Sequence, residues 1–578
     1  SMAEVGSIGA GDVHEVSPNG QIGSLGFPPM LHWGVRADDR WHIAKDERAI
    51  RQGIAGDEVS IETRLRVPGG DIVHRANSTT YKNSSVVIVE IENQTPLPVA
   101  LALFITGEGS WKYEGNILAR NQIPVLSASN PISNFLVASS QVDLHDLVKL
   151  EENQTGKERF AATEGSHVAT IFPLPHTSTL RFAFRSGTAH DSLPSPVDLP
   201  SLEGIANGWN VHLNHGSTVS FEDERLERVL FSARRHLLVG SQQGLNSPYW
   251  RKGVPPFTPA IAAVSMCLWG HSDASKHLLI RLLEDTQMSA FQPPESEDIS
   301  YLLWACNQFI SLYENTEASE PILARAVEQI GNLIRSIPRW RIRRRADYSF
   351  LRLGLESSIR ILRAAGKSKE VLQLEAALPK IYRKNFMTAR DDSLPKALLN
   401  KSQSADPLFR YLSAYLGGTQ SSGALDKSIV MSETTGSFSS AERLQDPFAS
   451  AIFLLALRRY LVGQPRRNSP TVALFPSYNS KWFNTSLEVS NMPIANGEIG
   501  YAVRWHGDRP ALLWEGTTNS QVHYIAPGLD PDWENSENRG EWLFPKQEPQ
   551  ETVIPLISPP IPKSTPQPIE SEAEDNFS

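Results

Sequence analysis

"FEDERLERVLFSARRHLLVG", Phe221 to Gly240, is where the chain changes its period. Leu226, Val229, Leu230, Ala233, Leu237 and Leu238 recur three or four residues apart, with charged residues between them. That spacing marks one face of an α-helix, and Gly240 is expected to end it. The residues before this stretch and those after it follow different rules.

Upstream, the rule is a period of two. In "TLRFAFR", Thr179 to Arg185, residues Leu180, Phe182 and Phe184 share one face while Arg181, Ala183 and Arg185 share the other. "SVVIVEIEN" (Ser85–Asn93) and "VALALFITGEG" (Val99–Gly109) flank a Thr-Pro-Leu-Pro turn. β-Branched runs punctuated by turn residues predict an antiparallel β-sandwich over 21–222. A polar, Gly-rich start, 1–20, is expected to be disordered.

Downstream, 223–465 reads as helical hairpins. "CLWGHSDASKHLLIRLLED" shows a joint: Gly270 suits the left-handed position after a helix, and Ser272 or Asp273 can cap the next one. Gly366 and Ser368 repeat the device, and Ser319 with Pro321 opens another helix. About nine or ten helices joined by short turns leave a closed ring of hairpins or an open solenoid. The β pattern returns over 466–525, and the Pro-, Glu- and Ser-rich stretch 526–578 is expected to be disordered. The fold class expected is therefore multidomain α+β.

Two Trp-rich segments echo one another: "LHWGVRADDRW" (Leu31–Trp41) and "YAVRWHGDRPALLWEG" (Tyr501–Gly516). Both read as strand–turn–strand, with Asp38-Asp39-Arg40 at the first bend and "HGDRP" (His506–Pro510) at the second. Arg36 and Arg504 then lie within reach of turn aspartates. The pair is expected to fasten the N- and C-terminal β layers around the helices. The competing reading takes His506, Asp508 and Glu515 as a catalytic group.

Composition narrows the function. The 578 residues carry a net charge of −9, with 40% apolar and 21% charged residues. Such a balance suits a soluble protein and speaks against nucleic acid as partner. No run approaches the ~20 apolar residues of a membrane span, and a cytoplasmic location is expected. Cys267 and Cys306 stand in apolar helical runs and read as small buried hydrophobes. Phosphate loops, His-Glu-X-X-His and Gly-X-Ser-X-Gly are absent from the sequence, so no cofactor or metal is expected.

A β-sandwich followed by helical hairpins resembles the six-hairpin glycosidases. These (α/α)6-toroid enzymes include bacterial glucoamylase-like proteins and the glucosidase part of glycogen debranching enzymes. The local match is "SEDISYLLWACNQF", Ser296–Phe309, similar to the acidic residue and aromatic-rich helix that line the sugar pocket there. The two Trp-rich segments also look like sequences of actinobacterial proteins of this shape. The resemblance implies a carbohydrate substrate, α-glucan-like, hydrolysed with inversion. It equally admits a catalytically inactive toroid that binds a glycan or a protein partner. Inverting hydrolysis needs one protonated carboxyl and one carboxylate about 6.5–9.5 Å apart.

On that resemblance the carboxylates stand ahead of helices. Asp298 and Asp347 are the catalytic candidates; each also reads as a helix-terminal charge or cap. Glu295, Glu297 and Trp304 flank Asp298 as candidate substrate contacts. Asp446, before Pro447, reads chiefly as a cap, with Glu433 and Glu442 on the preceding loop. Tyr249, Trp250 and Phe257 in "NSPYWRKGVPPFTP" suit either sugar stacking or an apolar plug. Arg343 and Arg345, in "RWRIRRR", suit an anionic group or a solvated loop.

Overall fold

The structure is a computed structural model that describes residues 2–24, 27–149, 163–186, 192–286, 297–314, 316–337, 349–382, 445–463, 470–476, 482–495, 497–518 and 521–548. It is a multidomain α+β protein with a 15-stranded antiparallel sheet, then helices, then sheets of five and four strands. The described helices are α1 (Leu144–Lys149), α2 (Leu202–Asn214), α3 (Glu224–Ser241), α4 (Pro248–Arg251), α5 (Thr258–Leu268) and α6 (Ser272–Asp285). They continue as α7 (Glu297–Leu312), α8 (Glu320–Ser336), α9 (Ser349–Ala364), α10 (Ser368–Tyr382) and α11 (Pro447–Leu461).

The large sheet curls until strands from its two ends share one core. Trp33, on the strand Phe27–Ala37, stacks at 5.3 Å on His74 of the strand Gly70–Tyr81. Leu180, Phe182 and Phe184 all enter this core, as their alternation predicted. Arg181, on the other face, pairs with Glu90. "SVVIVEIEN" is apolar without alternation because it is buried on both faces. Val87, Val89 and Ile91 fill the curl, while Val86 and Ile88 join the core shared with the helices.

Both Trp-rich segments form hairpins. Ala37 faces Arg40 across a two-residue turn in which Asp38 and Asp39 take φ of 51° and 57°. Two successive positive φ values define a type I′ turn, whose twist matches the strands. Asp39→Val is expected to cost about 1–2 kcal/mol, because a β-branched residue is strained there. Asp39→Gly should be neutral or stabilising in the same urea titration, and equal behaviour of the two variants would disprove the backbone cause. In the second hairpin His506 faces Arg509 across Gly507-Asp508, with Gly507 at φ 65°.

The expected fastening of these two hairpins is not what forms. They belong to different sheets, and Arg504 pairs with Glu488 rather than with a turn aspartate. Asp508 pairs with Lys546 at 2.9 Å, and that hydrogen bond holds its carboxyl below the usual range. The five-stranded sheet is tied instead to the helices. Its strand Thr218–Phe221 leads into α3 and pairs with Leu487–Ile494, which follows α11 in the chain. The Tyr501 hydroxyl donates to the Leu461 carbonyl (2.6 Å), and buried Arg458 donates to those of Val462 and Pro493.

The expected boundaries need two corrections. Strands Ala3–Gly6 and Val13–Val16 form within the supposedly disordered start, paired with each other and onward to Ile22–Ser24. β structure also continues past Ile525 through Asp530–Asn535 and Arg539–Leu543. Trp533 and Phe544 are buried there, which supplies the apolar surface that the composition hid. The rest of the expected tail, 549–578, lies outside the described residues.

Candidate functional site

Four helices stand side by side in the order α11, α5, α7, α9. The starts of α5, α7 and α11 meet. Phe257, just ahead of α5, has its ring 4.3 Å from Tyr301 near the start of α7 and 5.9 Å from Phe448 near the start of α11. Gly354 in α9 sits so close to Ser300 in α7 that a Cβ there would come within 2.9 Å of the Ser300 Cα. Further along, Ser265 Oγ donates to the Ala451 carbonyl (2.9 Å) and Trp269 Nε1 to that of Leu454 (3.0 Å). α5 and α11 therefore run in the same direction, the starts of α5, α7 and α11 meet around Phe257, and the first half of α9 lies against that of α7. Each end carries a partial positive charge, which favours carboxylates and other oxyanions nearby.

The large sheet meets the helices at this end. The Glu4 N–H donates to Gln445 Oε1, one residue before Asp446. Glu4 Oε2 lies 3.8 Å from His236 Nε2, with both side chains buried. Gly6 abuts Val239, where a Cβ would fall 2.4 Å from Cγ1, so the strand rests directly on α3. Lys252 reaches across to Glu15 at 3.3 Å, and buried Arg235 donates to the Val59 carbonyl.

Asp298 is the second residue of α7 and is exposed, with Oδ1 accepting from the Ile299 N–H. Glu297 begins the same helix. Asp446 is an N-cap that accepts from the Phe448 and Ala449 N–H groups. Asp347, Glu295, Arg343, Arg345, Glu433 and Glu442 lie outside the described residues. The aromatic expectation is corrected. Tyr249, Trp250, Phe257 and Trp304 are all buried in the core shared with the helices, so no ring face is left for a sugar. Tyr249 is held by its hydroxyl bond to the His236 carbonyl (2.7 Å) and by an edge contact with Trp250 at 4.7 Å.

Glu4, His236 and Gln445 were missed by sequence reasoning. Glu4 and Gln445 are 441 residues apart in the chain, and no local pattern links them. Phe448 was within reach of the sequence, being the aromatic nearest the Asp446-Pro447 helix start. Both cysteines are buried, Cys267 in α5 and Cys306 in α7, and burial pushes the Cys267 thiol up to about 12. Among the described residues no three His, Cys, Asp or Glu side chains are grouped to hold a metal ion. None of the described helices is long and apolar enough to cross a membrane.

No protein-family model and no curated protein matches the chain. Among solved structures, a bacterial glucoamylase complexed with acarbose is similar at a TM-score of 0.53 and 9% identity, over 78% of this chain and 93% of that one. A polysaccharide lyase aligns over 79% of this chain and 82% of that one at 10% identity, but its TM-score of 0.19 carries no argument. At such identity the glucoamylase likeness concerns the fold, which is glycosidase-like.

Proposed function

We propose that this is a carbohydrate-active protein of glucoamylase-like type, hydrolysing an α-glucan-like oligo- or polysaccharide with inversion. The meeting of the starts of α5, α7 and α11 around Phe257 is the observation that carries the reading. It is the layout expected of the inner helices of an (α/α)6 toroid, and the glucoamylase likeness supports it. The reaction site lies at that end. Asp298 stands at the start of α7, and Asp347 precedes α9 by two residues in sequence; α9 adjoins α7 where Gly354 meets Ser300. One carboxyl donates its proton to the glycosidic oxygen as the bond to the anomeric carbon breaks. The other takes a proton from the water that attacks the opposite face. Glu295, Glu297, Arg343 and Arg345 contact the substrate. The buried rings Tyr249, Trp250, Phe257 and Trp304 keep the helix ends in register beneath it.

The test is hydrolysis of α- and β-linked oligosaccharides, with the product anomer followed by NMR. Asp298→Asn and Asp347→Asn should each lower kcat by about 10²- to 10⁴-fold, with an inverted product from the unaltered protein. Undiminished turnover in both variants refutes the site. Glycan binding without any turnover identifies the catalytically inactive, glycan-binding alternative.

A further inference from the structure

The four-stranded sheet presents a polar cavity remote in sequence from the helix ends. Its register explains the cavity. Thr471 lies beside His523 across the parallel strands Thr471–Leu474 and His523–Ala526. Ile525 is two residues further on, and Glu534 faces it across the next strand. Neighbours in register share a face, so these four side chains project together. The opposite face, with Val472, Tyr524 and Ala526, is buried in the core. Asn535 and Ser536 close one end, giving a cavity of about 560 Å³. The Ser536 hydroxyl and His523 Nδ1 are 2.7 Å apart, which fixes both groups at the rim.

The lining decides the ligand class. Two hydroxyls, an imidazole and one carboxylate offer donors and acceptors in several directions around an apolar patch, Ile525. Among the described residues Glu534 is the one acidic side chain of the lining and no Lys or Arg belongs to it, so the charge of the described lining disfavours anionic ligands. The hollow is open, with His523, Glu534 and Ser536 exposed around it, a shape that suits an extended chain lying across the surface. A neutral polyhydroxylated ligand meets these conditions. We propose that this cavity is a second glycan-binding site that holds neutral saccharide chains without cleaving them. The proposal rests on the carbohydrate reading above and adds to it an anchoring site separate from the reaction site.

The experiment is native affinity electrophoresis of the full chain in gels containing soluble starch or a neutral β-glucan, beside hydrolysis of a short oligosaccharide. His523→Ala and Glu534→Ala should weaken retardation by one neutral glucan about tenfold. Asp298→Asn should leave retardation unchanged, and hydrolysis of the short substrate should survive His523→Ala. Thermal unfolding like that of the unaltered protein confirms that the variants are folded. Retardation equal in His523→Ala, Glu534→Ala and the unaltered chain overturns the proposal, whatever the hydrolysis assay gives. Absence of retardation by every glucan overturns it too. Retardation lost in these variants while no glycan is hydrolysed upholds this site and refutes only the catalytic reading.

Discussion

Lowering the pH from 6.5 towards 4 is expected to strip stability from the large sheet. His14, His32 and His74 are each lowered to about 4. Burial is the main cause in all three. Arg185 adds to it at His14, and Lys45 and His167 add to it at His32. In the unfolded chain these imidazoles take up protons near pH 6.5, whereas in the folded protein they stay neutral until about pH 4. Between those values the unfolded state binds more protons, so stability is full above pH 6.5 and falls as the medium is acidified. Three such groups give a slope of about 4 kcal/mol per pH unit in the middle of the window. Urea unfolding at several pH values measures it. His14→Leu should flatten the slope by about a third. It should also raise stability at neutral pH, because both ring nitrogens of His14 are buried without a hydrogen-bond partner. A profile flat from pH 6.5 to 4.5 would show that these rings are not held neutral by the fold.

Gly240→Ala is the second large effect, and its sign is the informative part. In an exposed helix interior this change adds about 1 kcal/mol of stability. Here the new Cβ would stand 2.4 Å from Tyr249 Cε1, 2.7 Å from Cζ and 2.8 Å from the hydroxyl oxygen. Tyr249 cannot retreat easily, since Trp250, the His236 ring and the His236 carbonyl hold it. A net loss of about 3 kcal/mol is expected. The seat of Tyr249 lies under the candidate reaction site, so glycan turnover should fall as well. Pairing the change with Tyr249→Leu should recover part of the loss, the coupling expected of two groups competing for one space. Stabilisation by Gly240→Ala alone would disprove this account.

That glycine also shows what was legible in the sequence. It was expected to end α3, yet α3 runs on through Ser241, and the glycine is there to let a ring approach. Gly270 and Gly366, by contrast, take φ of 81° and 68° after their helices, as expected. Local rules of period and turn chemistry thus exposed the strand alternation of "TLRFAFR", both Trp-rich hairpins and the helical region. They failed wherever a segment is shaped by distant partners. Ala3–Gly6 is too short and polar to announce itself, and becomes a strand because Val13–Val16 and α3 hold it. Of the candidate carboxylates, Asp298 does stand at the start of a helix, as its sequence context indicates, but the place of Glu4 beside Gln445 could not be read. It comes from the far end of the chain and arrives only through the tertiary fold.

The pairing of Thr218–Phe221 with Leu487–Ile494 has a consequence for how the protein is made. A ribosome delivers the first of these strands almost half a chain length before its partner. Throughout that interval Phe221 has no five-stranded sheet to close against, and for most of it α3 also waits for α11, its main partner. Contacts between such distant segments are slow to form, and uncovered apolar surface in the meantime invites aggregation. Synthesis arrested before Leu487 should therefore leave a nascent chain that engages chaperones, and release from them should coincide with emergence of the strands after α11.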